Sequence, residues 1–236
     1  MRVALAHLGK RRSVSELLKA LLPLVERAQG EGALALLLPE LVLGKQREDA
    51  LPQALKALAE ENRIPVVAGF LAPGPRNRLG VFPQGPSYDK VHPYLAWGEE
   101  GDEGIAPGEG PVIWEFGDTG FGLALCYDLD FPELFRSYAL MGAEGFLVGS
   151  AWPGEYRELL VVLARARAAE NQAYLLLANR ADTGSPSLAV GPDGRLLGLR
   201  EEEGLLLVDL DLAFLKEYRA RYPILGHRRP EAYRLW

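Results

Sequence analysis

Apolar residues along the chain follow two spacings in turn, and this alternation predicts an α/β domain. Ser13 to Ala28 and Glu48 to Asn62 show the three- and four-residue spacing of amphipathic helices. Ala33 to Leu38 is a short apolar run between Gly and Pro, as buried strands often are. Turn residues at Gly117–Gly120 and Gly191–Gly194 predict hairpins. Because hairpins interrupt the alternation of strands and helices, we expect a two-layer arrangement of mixed sheets flanked by helices rather than one parallel sheet.

Composition narrows the class of protein. No repeat, linker or low-complexity segment interrupts the 236 residues, so we expect one domain over residues 1–236. The apolar fraction of 48% allows a sizeable core, and the net charge of −6 argues against a nucleic-acid partner. No apolar run has the length of a membrane span, and the first residues lack a signal-peptide pattern. We therefore expect a cytoplasmic protein without a membrane partner.

Cys126 is the only cysteine, so an internal disulfide is excluded. The three histidines and this cysteine are too widely separated for zinc spacing, and no Gly-rich phosphate loop follows the first strand. We expect no metal and no cofactor, and a nucleotide-binding domain is disfavoured. A lone thiol after an apolar strand is either core packing or a nucleophile, and its neighbours in space decide which.

Polar residues follow three of the predicted strands at the point where each strand ends. Glu40 follows Leu36–Pro39, Lys90 comes after Tyr88 and Asp89, and Cys126 ends an apolar run. Each residue taken alone is more often a cap, a surface side chain or a core thiol. Since sites in open α/β sheets form beyond the carboxyl ends of strands, the three side chains converge if these strands are neighbours.

These segments together resemble the nitrilase superfamily of carbon–nitrogen hydrolases, and the resemblance spans nearly the whole chain. In chain order, the resembling segments are Leu38–Glu40, Tyr88–His92, Cys126–Glu133, Ser150–Pro153, Arg165–Gln172, Ala178–Arg180 and Gly191–Gly194. The resemblance implies an α-β-β-α sandwich of two mixed sheets flanked by helices. It also implies self-association into a homodimer or a higher homo-oligomer.

The resemblance implies roles for individual residues: Glu40 as general base, Lys90 as its cationic partner and Cys126 as nucleophile. Many members carry a second glutamate on the loop after the lysine, and Glu103, ahead of Pro107, matches that position. Three other acidic residues of the loop compete for it: Glu99, Glu100 and Asp102.

Other residues of these segments are candidates for the substrate pocket. Lys90 and the backbone N–H of Tyr127 could stabilise a tetrahedral oxyanion. Trp152 follows a strand end and either lines the pocket or packs in the core, while His92 is expected to pack rather than to act as the base. Asp130 stands where the family often has Arg, so we hypothesise a neutral or cationic substrate rather than a carboxylate.

The expected function is hydrolysis of a non-peptide C–N bond in a small amide through a thioester on Cys126, with release of ammonia or an amine. A nitrilase or a carbamoyl hydrolase would use the same Glu40, Lys90 and Cys126. The alternative from another class is a catalytically silent binding protein that retains the fold. The presence of all three residues argues against it, because a silent member has no chemical need for them.

Overall fold

A computed structural model describes residues 1–95 and 101–233 of the chain. The helices are α1 (Val14–Gly30), α2 (Leu51–Asn62), α3 (Pro132–Leu140), α4 (Arg157–Asn171) and α5 (Leu212–Arg221). The strands are β1 (Arg2–His7), β2 (Leu36–Leu37), β3 (Val42–Lys45), β4 (Val66–Ala72), β5 (Arg76–Phe82), β6 (Ser87–Asp89), β7 (Ile113–Phe116), β8 (Thr119–Leu125), β9 (Gly145–Ser150), β10 (Tyr174–Asn179), β11 (Ser187–Val190), β12 (Leu196–Arg200) and β13 (Gly204–Asp209).

Apart from β3, the strands of the described residues form two six-stranded mixed sheets. The first has the order β13-β1-β2-β4-β5-β6, with β1, β2 and β4 parallel and the outer strands antiparallel. The second has the order β12-β11-β10-β9-β8-β7, with β8, β9 and β10 parallel at its centre. The predicted hairpins supply the antiparallel outer strands β7 and β12 of the second sheet.

Strand β1 shows how the layers are built. Val3 and Leu5 belong to the apolar core between the two sheets, whereas Ala4 and Ala6 belong to a second core beneath the helices α1 and α2. Side chains of a strand point alternately to its two faces, so a strand covered on both faces is apolar throughout. Helices α3 and α4 cover the second sheet in the same way through Phe135 and other apolar residues. The predicted α-β-β-α sandwich is confirmed.

Helix ends follow the local sequence. Helix α1 begins after Ser13, whose side chain accepts a hydrogen bond from the Glu16 N–H at 3.2 Å, as its spacing predicts. Helix α3 begins at Pro132, where a missing N–H costs nothing. None of the helices in the described ranges combines the length and the apolar character needed to cross a membrane.

Candidate active site

The structure brings together the three polar residues that follow strands. The Lys90 ammonium lies 2.9 Å from Glu40 Oε1, and these two side chains are 3% and 4% exposed. Cys126 is partly exposed and interacts electrostatically with both. The strands that end near these residues belong to different sheets, so the site lies where the two facing sheets meet.

A glycine allows the Glu40 segment to approach the first sheet. The Gly69 N–H donates to the Pro39 carbonyl at 3.1 Å, and a Cβ at position 69 would lie 2.6 Å from Glu40 Cα. Real Cβ atoms do not approach a backbone carbon this closely, so only glycine fits here. Leu41, directly after Glu40, has φ = 48°, in the left-handed region that non-glycine residues rarely adopt.

The Cys126 backbone is strained in the same manner. Its φ is 43°, where strand β8 ends and a 3₁₀ helix, Cys126–Asp130, begins. A non-glycine residue in this region costs of order 1–3 kcal/mol and persists only when its surroundings hold it in place. Such outliers are concentrated at functional sites, and this one turns the thiol out of the strand at the edge of the sheet.

A buried carboxylate holds the cysteine turn against the lysine segment. Asp128 is fully buried and accepts hydrogen bonds from the Leu125 N–H at 2.9 Å and the Tyr88 hydroxyl at 2.7 Å. Its other oxygen accepts the His92 N–H at 3.0 Å and lies 2.8 Å from His92 Nδ1. Since Tyr88 and His92 flank Lys90, Asp128 fixes the position of the Lys90 segment relative to the Cys126 turn. His92 also stacks on a phenylalanine ring and so packs, as predicted.

The second carboxylate at Lys90 comes from Asp102. Its Oδ2 accepts from Lys90 Nζ at 2.7 Å and from the Tyr94 N–H at 2.9 Å, and the side chain is buried. Glu103, the residue predicted for this position, has an exposed side chain. The other two competitors, Glu99 and Glu100, lie outside the described residues. The geometry therefore favours Asp102 over Glu103.

The charges of the site set the protonation states. Burial alone would lower the pKa of Lys90, but the attraction of Glu40, Cys126 and Asp102 outweighs it and raises this pKa above the ordinary value. Burial, followed by the charge of Glu40, raises the pKa of the Cys126 thiol, and the opposing effect of Lys90 is smaller. The two shifts favour the neutral form of the thiol and the charged form of the lysine. A nearby lysine favours a thiolate, but here burial and Glu40 outweigh it.

Two buried polar side chains at the site were not singled out from the sequence. Asn77 Nδ2 donates to Glu40 Oε1 at 2.8 Å, and the Asn77 carbonyl accepts from the Lys90 N–H at 2.8 Å. The Ser150 hydroxyl is buried without a hydrogen-bond partner among the described residues, and its presence near the sulfur lowers the pKa of Cys126. Asn77 lies two residues before Leu79 and therefore on the same buried face of β5, but its polar neighbours hide this pattern in the sequence.

The three residues predicted for the substrate pocket, Tyr127, Trp152 and Asp130, have different surroundings. The Tyr127 ring contacts two other aromatic rings, those of Tyr94 and Phe131, each at 5.1 Å between centroids. Trp152 is buried in the core between the sheets, and its indole N–H donates to a backbone carbonyl at 3.0 Å. Asp130 is partly buried; burial raises the pKa of its carboxyl, and Arg167 opposes the shift. No described group of three or more His, Cys, Asp or Glu side chains could hold a metal ion.

Comparison with known proteins gives matches over most of the chain. The family model for the carbon-nitrogen hydrolases matches residues 2–220. A hydrolase from Mycobacterium tuberculosis is 30% identical over 214 residues, covering 81% of this chain and 76% of that protein. The deaminated glutathione amidase of Mus musculus is 39% identical over 126 residues, which is 48% of this chain and 38% of that protein.

A similar solved structure is a mutant of the Nesterenkonia AN1 amidase from the nitrilase superfamily. It is 30% identical and superposes with a TM-score of 0.78, covering 95% of this chain and 96% of that chain. In another mutant of that amidase, acrylamide has undergone Michael addition at the active-site cysteine. The similarity therefore extends over both sheets and the helices that cover them.

Proposed function

We propose, from the premise that the chain belongs to the carbon–nitrogen hydrolase family, that it hydrolyses small amides through a thioester on Cys126. The proposal is carried by one observation: a buried Lys90 ammonium, hydrogen-bonded to Glu40, beside the thiol of Cys126. Amidases among the similar proteins favour an amide over a nitrile or a carbamoyl group as the bond that is cleaved.

In the first half-reaction, the Cys126 sulfur bonds to the amide carbon while the thiol proton moves to the Glu40 carboxylate. Because the resting thiol is neutral, attack requires this proton transfer. The amide C=O becomes an oxyanion, which Lys90 and the Tyr127 N–H stabilise; one such donor contributes about 2.7–4 kcal/mol. The C–N bond then breaks, Glu40 returns its proton to the nitrogen, and ammonia or an amine leaves.

In the second half-reaction, water attacks the thioester carbon and gives a proton to Glu40. The new tetrahedral species collapses, the C–S bond breaks, and Glu40 returns the proton to the Cys126 sulfur. The products are a carboxylic acid and the free enzyme, so one water is consumed for each amide. Glu40 thus alternates between base and acid within one turnover.

Asp102 supplies the second carboxylate in this mechanism. Its Oδ2 holds the Lys90 ammonium at 2.7 Å. Asp102→Asn should therefore reduce kcat, whereas Glu103→Gln, a matched change one residue away at an exposed position, should leave it unchanged. The reverse pattern would assign the role to Glu103.

The direct test is a panel of primary amides, nitriles and carbamoyl compounds assayed for ammonia release. Intact mass spectrometry should detect an acyl adduct on the wild-type protein, and Cys126→Ala should show neither the adduct nor turnover. If no compound forms an adduct and iodoacetamide does not alkylate Cys126, the catalytically silent binding protein is the better description.

The charge of Asp130 supports a neutral or cationic substrate. Butyramide and succinamate are a matched pair, because they differ only in a terminal methyl group or carboxylate. We expect the higher kcat/KM with butyramide. A strong preference for succinamate would contradict this part of the proposal.

We also propose that the protein forms a homodimer. The large apolar side chains of Leu159 and Val162 on α4 are 44% and 61% exposed and lie three residues apart on one side of the helix. Sedimentation velocity should give a dimer mass for the wild type and a monomer mass for Val162→Asp. A monomeric wild type would refute the assembly and leave the catalytic proposal untouched.

A further inference from the structure

We infer that Asn77 is a positioning residue for the hydrolysis: its side-chain amide holds Glu40 Oε1, so that the protons of the reaction pass through Glu40 Oε2. The inference rests on the proposed function of Cys126 and Glu40. It adds a fourth strand, β5, to the elements that supply the site.

The hydrogen bonds at Glu40 distinguish its two oxygens. Asn77 Nδ2 donates to Oε1 at 2.8 Å, and Lys90 Nζ donates to the same oxygen at 2.9 Å. A carboxylate oxygen has two lone pairs, so two donors occupy Oε1. Both donors bind Oε1, and the inference therefore assigns the thiol proton to the other oxygen, Oε2.

The orientation of the Asn77 amide follows from chemistry. An ionised Glu40 can only accept hydrogen bonds, so the amide nitrogen must face it and the amide oxygen must point away. That oxygen, Asn77 Oδ1, is buried and has no hydrogen-bond partner within the described residues. Since an unpaired buried acceptor is unfavourable, the amide gives the fold little net stability. We therefore attribute the importance of the Asn77 amide to the hydrogen bond that Nδ2 donates to Glu40 Oε1.

The Asn77 backbone performs a separate task. Its carbonyl accepts from the Lys90 N–H at 2.8 Å, and this bond does not depend on the side chain. A side-chain substitution therefore keeps the backbone hydrogen bond that holds Lys90 and removes only the donor to Glu40 Oε1. Because Asn77 contacts Glu40 and not the scissile bond, its loss should lower kcat more than it raises KM.

Two substitutions separate a donor role from a packing role. Asn77→Leu keeps the approximate size and removes the donor, and we expect kcat to fall about 10- to 100-fold, as for a misplaced general base. Asn77→Asp introduces a carboxyl that faces Glu40 and Lys90, with Asp102 and Cys126 beyond them. While that carboxyl keeps a proton it can donate to Oε1 as the amide does; once ionised, it repels Glu40.

The measurement is the ratio of variant to wild-type kcat as the pH is raised from about 6 to about 9. The substrate is whichever of acetamide, propionamide, butyramide and acrylamide the wild type hydrolyses fastest. The ratio should fall with pH for Asn77→Asp and stay constant for Asn77→Leu. Asn171→Asp is the matched control: Asn171 is also buried, donates through Nδ2 to a backbone carbonyl at 2.9 Å and has an unpartnered Oδ1. Its ratio should stay close to one at every pH.

Two outcomes overturn the inference in distinguishable ways. If the wild type hydrolyses none of the four amides and iodoacetamide does not label Cys126, the proposed function fails and the inference falls with it. If the wild type is active and Asn77→Leu keeps its kcat, or if Asn77→Asp and Asn77→Leu have the same constant ratio, the function stands and Asn77 has only a packing role.

Discussion

Replacing Lys90 by methionine should destabilise the protein strongly, because it leaves two carboxylates without their cation. Lys90 Nζ contacts Glu40 at 2.9 Å and Asp102 at 2.7 Å, and all three side chains are at most 5% exposed. Methionine keeps most of the apolar stem, so the change removes chiefly the charge. The attraction of the carboxylates already outweighs the burial of Lys90, which is why its pKa is raised in the native protein.

The magnitude follows from the geometry of a broken buried pair. Removing one partner of such a pair costs about 3–5 kcal/mol, since the other partner is left charged and poorly solvated. For a chain of this size, 1 kcal/mol shifts Tm by about 2–4 °C, so Lys90→Met should lower Tm by about 6–20 °C. Because the folded-state pKa of Lys90 is raised, its full contribution to the free energy of unfolding is present at every pH below the ordinary lysine pKa of about 10.4. This contribution is lost only as the pH rises through the higher folded-state pKa.

Urea unfolding at neutral pH, followed by circular dichroism, measures the effect as a lower midpoint with an unchanged slope. Lys56→Met is the control, because Lys56 pairs with Glu60 at 3.8 Å on an exposed helix face, where a pair contributes about 0.3–0.5 kcal/mol. The Lys90 deficit should shrink at acid pH, where protonation removes the unpaired charges, and Asp102→Asn in the same chain should recover part of it. Equal losses for Lys90→Met and Lys56→Met would refute the reasoning.

Three further predictions follow from the same contacts. Glu40→Gln should move the pH midpoint of Cys126 alkylation by iodoacetamide downward, because Glu40 raises the pKa of the thiol; an unchanged midpoint would contradict the electrostatic coupling. Gly69→Ala should destabilise the protein by about 1–3 kcal/mol or more in urea unfolding and reduce turnover, because the new Cβ meets Glu40 Cα. Gly30→Ala, where a Cβ meets nothing within 4 Å, is its control and should not destabilise. Burial raises the pKa of the Tyr88 hydroxyl, so above about pH 10 this group loses its proton in the unfolded state before it does so in the folded state. The free energy of unfolding therefore declines with pH above about pH 10, and this decline should be shallower in Tyr88→Phe.

The sequence predicted the positions of Glu40, Lys90 and Cys126 because the ends of apolar runs are visible without a structure. The runs before Glu40 and Cys126 are buried on both faces, so their apolar character stops where the strand leaves the core, whereas Lys90 follows the short strand β6, in which only Tyr88 is buried. The mixed character of the second sheet was predictable for a related reason, since turn residues mark the two hairpins that add its antiparallel outer strands.

The role of Asn77 could not be predicted, because polar neighbours concealed its strand. The apolar run of this segment begins at Leu79, whereas β5 begins at Arg76 and pairs with β4 along its whole length. Arg76 and Arg78 point to the solvent side, so the segment appears polar even though Asn77 between them is 1% exposed. Only the partner strand reveals that the alternation continues.

The loop after Lys90 was less predictable still, because a loop has no periodicity from which burial can be derived. Asp102 and Glu103 are adjacent and chemically similar, and yet one contacts the buried ammonium and the other is exposed. The backbone N–H of Tyr94, which donates to Asp102 Oδ2 at 2.9 Å, helps to select between them. That contact is tertiary, so no local pattern records it.

The buried charges explain why the resting thiol should be neutral in a site built for nucleophilic attack. With the thiol protonated, one ammonium faces two carboxylates. A thiolate would add a third negative charge to a site with little water, and burial makes that state unfavourable. In the proposed mechanism, transfer of the thiol proton to Glu40 creates the nucleophile without changing the total charge of the site. That mechanism requires one Glu40 oxygen to accept the proton, and the inferred role of the two donors at Oε1 is to direct it to Oε2.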